Sequence, residues 1–315
     1  MNSIKNSFKY FRITRTPLRV VFAYYMHILA NRISANRISA YFWKSYVRIH
    51  FKDFKKKWLK TNSNGASYFD FNGAKLPDVS GDNNLLVALS WVFQDVFLVP
   101  CYYKDNHDKK IVDFLDICTH EGTYGYVDEE FDVTVKKNDV VIDAGAWIGD
   151  FCAYASSKGA VTYAFEPVEE TFNWLCKTAD MNEGIHPVNK GLGSSEKVLN
   201  IYKSEEDSGS NSVVFKRDEG TLVEEISITT LDKFVEENEL ERVDFIKADI
   251  EGAERDFLKG AAKTLQKFAP KLAICTYHLP DDPEVLKTII LEANPKYKVI
   301  QLRHKLFAAV VERKQ

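Results

Sequence analysis

No two cysteines in the sequence are spaced as a CxxC pair. The five present (Cys101, Cys118, Cys152, Cys176 and Cys275) are scattered and odd in number. That excludes a disulfide framework and a zinc ribbon, and it points to free thiols in a reducing, cytoplasmic setting. No apolar run reaches the roughly 20 residues of a membrane span. The strongest stretch, residues 20–30, is interrupted by His27, and no small-x-small cleavage site follows it, so it reads as uncleaved and non-spanning. The Gly-x-Gly-x-x-Gly fingerprint of a dinucleotide-binding turn is missing. So is any nucleic-acid-binding motif, and nucleic acid is not expected as a partner.

Charge of one sign is missing only locally. The whole chain carries −3, but residues 1–60 hold fourteen Lys/Arg and a single acid, Asp53, leaving −16 on the remainder. Within that basic segment, YFWKSYVRIHFKDFKKKWLK (41–60) interleaves aromatics with lysine and arginine. Aromatic bodies with basic heads suit a membrane interface or anionic lipid. They equally suit a helical cap that packs its rings on the rest of the protein, and both readings stay open. The tandem ANRISANRIS (30–39) does not extend one helical face, because five residues turn a helix by about 500°. It reads as a slipped duplication. The expected division is a basic, aromatic-rich helical segment over 1–60, a lead-in or cap over 61–118, and a catalytic domain over 119–315.

Apolar residues make up 45% of the chain, enough for a substantial core, and they concentrate where chemistry is expected. VVIDAGAWIGDF (140–151) is an apolar run ending in Asp143, with Gly145 and Gly149 behind it. This reads as a buried parallel strand, a tight turn and a helix start. The Asp-x-Gly-x-x-x-Gly spacing favours a ligand without a pyrophosphate, such as S-adenosylmethionine (SAM). Asp143, Gly145, Ala146, Trp147 and Gly149 are thus candidate cofactor-binding residues. VTYAFEP (161–167) is the next strand, and it ends in Glu166, where a carboxylate can accept hydrogen bonds from both hydroxyls of a ribose. Asn189 and Gly191 follow the third strand and are candidates for an adenine pocket. Tyr124, in the glycine-flanked THEGTYGY (119–126), is placed to fold over a ligand.

Further on, DFIKADIEGAE (244–254) is a strand that delivers Asp249, Glu251 and Glu254 to a helix N-terminus, where the helix dipole favours carboxylates. KLAICTYHLP (271–280) is a buried strand that delivers Tyr277 and His278 to the same edge. Asp249, Glu251 and His278 are the candidate catalytic residues, with His278 or Asp249 as general base. The carboxylates could hold Mg²⁺, although a metal is not expected. The hairpin at Asn72-Gly73, the helices at 84–99 and 231–243, the strands over 198–230 and a closing antiparallel pair (297–302, 306–312) complete the pattern. All of this describes a doubly wound α/β fold.

With EGTYGYVDEEFDV, NDVVIDAGAWIGDF, VTYAFEPVEETFNWL, ITTLDKFV, DFIKADIEGAERDFLKGAAKTL and KLAICTYHLPDDP in order over roughly 120–285, the chain resembles the FkbM family of SAM-dependent methyltransferases. The resemblance implies a Rossmann-like, mostly parallel seven-stranded sheet with an antiparallel last strand. It also implies methyl transfer from SAM, most often to oxygen, in glycan, glycolipid or natural-product biosynthesis. On that basis Asp143, Gly145 and Gly149 lie against the methionine part of SAM, Glu166 holds the ribose, and Asp249 and Glu251 floor the reaction centre. A sugar hydroxyl on a lipid-linked glycan fits the basic segment, and a soluble metabolite or a carboxylate acceptor stays open beside it. Trp147 departs from the family, which often has Asn there.

Overall fold

The computed structural model describes residues 54–81, 102–103, 124–129, 131–203, 221–302 and 304–311. The basic segment up to Asp53, the expected helix at 84–99 and the loop 204–211 lie outside the described residues. Leu59–Thr61 (β1), Ser67–Phe71 (β2) and Ala74–Pro77 (β3) form an antiparallel meander. Asn72 and Gly73, at φ 59° and 104°, make its second turn with the paired left-handed residues that a tight hairpin requires. Tyr102–Tyr103 (β4), Tyr126–Val127 (β5) and Asp132–Val133 (β6) make a second small sheet.

The alternating unit then begins. Val140–Ala144 (β7) leads to helix Asp150–Ser157 (α1), Val161–Phe165 (β8), helix Glu169–Ala179 (α2) and Ile185–Val188 (β9). Gly191–Leu192 (β10), Lys197–Lys203 (β11) and Thr221–Thr229 (β12) branch into a separate three-stranded sheet. Helix Leu231–Glu237 (α3) returns the chain to Phe245–Ala248 (β13), which is followed by helices Glu254–Lys259 (α4) and Ala262–Phe268 (α5). Lys271–Cys275 (β14), helix Asp282–Ala293 (α6), Tyr297–Leu302 (β15) and Lys305–Val310 (β16) finish it.

The principal sheet has seven strands in the order β15-β16-β14-β13-β7-β8-β9. Five run parallel from β14 to β9, and β16 is antiparallel to both of its neighbours. The last strand is therefore inserted, antiparallel, inside the sheet. The pleat sorts side chains by parity. Ile142, Ala144, Ile246, Ala248, Leu272, Ile274, Leu306 and Ala308 face the helices α3 to α6. Val141, Phe245, Ala273, Cys275, Phe307 and Ala309 face Phe151 of α1 and the small β5–β6 sheet. With both faces covered, the central strands are apolar except for the paired Asp143 and Lys247, which is why they read as nearly continuous runs.

α3 is shorter than the sequence suggests, ending at Glu237 rather than near 243. The Asn238 side chain takes the Phe234 carbonyl at 2.9 Å and Glu239 turns left-handed at φ 51°, so the amphipathic pattern outlasts the helix. No helix among the described residues is long and apolar enough to cross a membrane.

The β1–β3 meander is fastened to the layer behind the glycine turn. Its Phe69, Phe71, Leu76 and Val79 pack with Ile148 and Ala153. Asn182 donates to the Lys75 carbonyl (2.7 Å) and accepts from the Lys75 N–H (3.0 Å). Removing the amide strands two backbone groups, at about 1–3 kcal/mol each if they are kept from water. Asn182→Ala is therefore expected to speed hydrogen exchange in 67–77 while protection in β7, β13 and β14 stays high. Equal slowing or equal loss in both regions would contradict this attachment.

Candidate active site

The site is built at the carboxyl ends of β8, β7, β13 and β14. Gly145 follows β7 at φ +76°, and a Cβ there would lie 2.0 Å from the Asp249 carbonyl oxygen. Gly149, the N-cap of α1 at φ +87°, would meet Leu175 and Thr178 side-chain atoms at 2.9 Å. No side chain fits either position. The Gly145 and Ala146 N–H groups both bond the Phe165 carbonyl, at 3.1 and 2.9 Å, pinning the turn to β8. Trp147 is left-handed too, at φ 48°. Its indole packs toward the β1–β3 cluster with Nε1 buried and lacking a hydrogen-bond partner, while its backbone N–H reaches the next strand.

That partner is Glu166. Its Oε2 accepts the Trp147 N–H at 3.2 Å and its Oε1 the Val168 N–H at 3.0 Å. Burial pushes its pKa up to about 7, against the pull of those two hydrogen bonds and of Lys247. Asn189 closes the same corner, donating to the Glu166 carbonyl at 3.1 Å and to the Pro167 carbonyl at 3.2 Å. Gly191 sits behind it in β10, where a Cβ would meet Ile228 at 2.5 Å and Pro167 at 3.7 Å.

Below the turn lies a buried ion pair. Lys247 of β13 is the register partner of Asp143 of β7. Its Nζ lies 3.0 Å from Asp143 Oδ1 and 2.5 Å from the Gly145 carbonyl oxygen. Cys152 donates to Asp143 Oδ2 at 2.9 Å. The Asp143 carboxylate is fully buried and engaged by the chain's own groups. Burial alone would lower the Lys247 pKa, but Asp143, Asp249 and Asp150 outweigh it and hold the ammonium protonated. Asp150, at the start of α1, is pushed up to about 6 by burial.

The acidic centre stands beside this pair. Asp249 Oδ2 accepts the Tyr124 hydroxyl at 2.7 Å and Oδ1 the Tyr277 hydroxyl at 3.1 Å. Burial acts to raise its pKa, but Lys247, Lys305, His278 and the Tyr124 hydrogen bond prevail and lower it. The Lys305 ammonium lies 4.1 Å above the Tyr124 ring. The His278 Nδ1 stands 3.0 Å from Glu254 Oε1, and its Nε2 stands 3.6 Å from Glu251 and 3.7 Å from Asp249. Burial would lower the imidazole pKa; Glu254 first, then Asp249 and Glu251, raise it instead, to about 9. Glu251, at φ 53°, and Gly252 carry the chain from Asp249 into α4. Asp249, Glu254 and His278 each offer one ligand atom within 4.8 Å of the others. Arg255 fixes the histidine's loop, bonding Asp282 at 2.7 Å and Asp281 at 2.5 Å, and Asp282 accepts the Leu279 N–H at 2.8 Å.

The structure thus gathers Tyr124, Asp249, Glu251 and His278 in one cluster, and Trp147, Glu166 and Asn189 in another beside Gly145. Residues 143–299 match the sequence profile of the methyltransferase FkbM domain. The chain belongs to the FkbM methyltransferase family. It is 29% identical over 168 residues to the hexuronic acid methyltransferase AglP of Haloferax volcanii, covering 53% of this chain and 67% of that one. It is 27% identical over 158 residues to Methyltransferase 1 of Beauveria bassiana, covering 43% of this chain and 64% of that one. The chain therefore spans about two-thirds of the length of these relatives. Among solved structures, an FkbM methyltransferase from Methylobacillus flagellatus is 23% identical, with a TM-score of 0.41, covering 55% of this chain and 43% of that one.

Lys247, Lys305, Cys152 and Arg255 are the site-building residues that sequence reading passes over. Lys247 alone leaves a trace, a lysine inside an otherwise apolar strand. Two outcomes follow from this geometry. Gly145→Ala forces a methyl group into the Asp249 carbonyl, and it is expected to yield insoluble protein or a sharply lowered melting temperature; wild-type melting would contradict the packing. The second concerns pH. The His278 pKa stands near 9 when folded and near 6.5 when unfolded. The folded state binds the extra proton between these values, so its contribution is full below about 6.5 and is lost as pH rises to 9. The loss is at most about 3 kcal/mol. Denaturant titrations in EDTA from pH 8 to 9, where Asp150 is ionised and Glu166 largely so, should show it, and His278→Gln should flatten the slope.

Proposed function

We propose that this chain transfers the methyl group of SAM to an oxygen atom of a sugar-containing acceptor. The observation that carries the reading is the pair of acidic strand ends flanking one glycine turn: Glu166 after β8 and Asp249 after β13, with Gly145 between them after β7. The fit to SAM rests on the free acceptor capacity of Glu166 beside the Gly145 turn. Each Glu166 oxygen uses one lone pair on a backbone N–H and retains another, enough to accept two ribose hydroxyls. When bound, SAM supplies a methyl group already activated on a sulfonium.

The protein's task is then to orient an acceptor oxygen and take its proton. Alignment alone is worth about 7–11 kcal/mol. Asp249 is the group suited to the proton: it is ionised, held by two tyrosine hydroxyls, and backed by Lys247 and Lys305. His278 is a candidate base by position, yet at neutral pH it already carries its proton. Its part is to hold Asp249 and Glu251 in place. Support for a sugar acceptor comes from the hexuronic acid methyltransferase to which the chain is similar. The basic residues 1–60 suit an anionic acceptor and, for a lipid-linked one, the surface that carries it.

Calorimetry with S-adenosylhomocysteine tests the cofactor half. Wild type is expected to bind, and Glu166→Gln to bind at least about tenfold more weakly, as the loss of a charged hydrogen-bond acceptor implies. Mass spectrometry of uronic-acid-terminated oligosaccharides incubated with enzyme and SAM tests the acceptor half. Gain of one methyl group, with kcat reduced about 10²-fold or more in Asp249→Asn, is the expected result. Cofactor binding with no methylated saccharide would move the acceptor outside sugars.

A further inference from the structure

Three carboxylates converge on one imidazole at the end of β14, which is an unusual concentration of negative charge for a buried place. Glu254 has no exposed surface, and the His278 side chain is 4% exposed. Glu254 Oε1 is used, accepting the Ile250 N–H at 2.9 Å. Glu254 Oε2 and both His278 nitrogens are buried without a properly angled hydrogen bond. Buried polar atoms are rarely left so, because each costs about 1–3 kcal/mol. The imidazole points into the acidic group from both edges, Nδ1 at Glu254 and Nε2 at Asp249 and Glu251.

We propose that Asp249, Glu254 and His278 form a binding site for a first-row divalent cation, with Glu251 as a fourth donor at its open edge. Ligand atoms about 2.0–2.2 Å from one ion lie at most about 4.4 Å apart, and these lie within 4.8 Å of one another, so small side-chain shifts close the site. Carboxylates suit Mg²⁺, Ca²⁺ and Mn²⁺, whereas imidazole suits the transition metals. The mixed set favours Mn²⁺, Fe²⁺ or Zn²⁺ over Mg²⁺ or Ca²⁺. The surroundings supply the outer contacts that ligating groups need: Tyr124 and Tyr277 on Asp249, the Ile250 N–H on Glu254, and Arg255 with Asp282 holding the histidine loop. Binding of the ion stands on this geometry alone. Only its use, as a Lewis acid that lowers the pKa of an acceptor hydroxyl, rests on the methyl-transfer reading.

The test uses the full chain, stripped with EDTA and freed of chelator, without SAM or acceptor. Mn²⁺ is titrated and followed by loss of the free-ion EPR signal and by calorimetry. One equivalent is expected to bind in the micromolar range or tighter, and Zn²⁺ to displace it. Glu254→Gln keeps the Ile250 hydrogen bond and the side-chain volume; it and His278→Gln should each weaken Mn²⁺ at least tenfold while circular dichroism stays native. Should either fail to fold, Asp249→Asn carries the same expectation. Wild type that binds neither Mn²⁺ nor Zn²⁺ below millimolar concentrations, or folded variants that bind like wild type, would overturn the site. S-adenosylhomocysteine binding by the same metal-free protein reports on the methyl-donor reading separately.

Discussion

A buried ammonium between two strand ends is the constraint on which the rest depends. Lys247 cannot leave the sheet without stranding Asp143, and Asp143 cannot stay ionised without it. Their pairing fixes the register of β7 against β13. The same Nζ holds the Gly145 carbonyl, so the glycine turn is set from below. The lysine's remaining charge reaches Asp249 and keeps that carboxylate ionised. A single side chain thereby contributes to strand register, turn geometry and the protonation state of Asp249. Replacing it by an apolar residue of similar length would leave Asp143 buried and unpaired, which typically costs about 3–5 kcal/mol.

Most of the architecture was legible because both faces of the sheet are covered. Strands covered on both sides announce themselves as largely apolar runs such as VVI and LAIC, and the glycine turn after β7 is written in the sequence beside its strand. The seven-stranded, mostly parallel sheet with an antiparallel last strand is what the family resemblance implied, and it is what the structure has. Residue chemistry with a local cause was also readable: the hairpin at Asn72-Gly73 and the strand-end acids Glu166 and Asp249. What escaped was set by long-range register. Lys247 and Asp143 are about a hundred residues apart, and nothing near either names the other. The fate of Trp147 was hidden for the same reason, since the cluster that receives its indole lies some seventy residues upstream. The end of α3 was misjudged because amphipathic spacing continues through a residue that turns left-handed.

The site separates its charges by strand. On the β8 side, Glu166 is buried with backbone donors and a pKa near neutrality, a setting that favours neutral hydroxyls. On the β13–β14 side, lysines and an imidazolium meet carboxylates, a setting that favours ionised groups and proton movement. Gly145 lies between the two, contributing only backbone. The proposed methyl transfer assigns the cofactor to the first side and the acceptor to the second.

The insertion of β16 between β14 and β15 has a consequence for biosynthesis. Among the described strands β15 pairs only with β16, so this edge cannot form until residues 305–310 have left the ribosome. Lys305, which stands over Tyr124, arrives with the same strand. A nascent chain can thus assemble β7, β8, β9 and β13 early, but its acidic centre stays incomplete until this last strand slides in. Premature termination before that point removes an interior strand rather than a fringe, and it leaves the exposed edge of β14 for quality-control machinery to recognise.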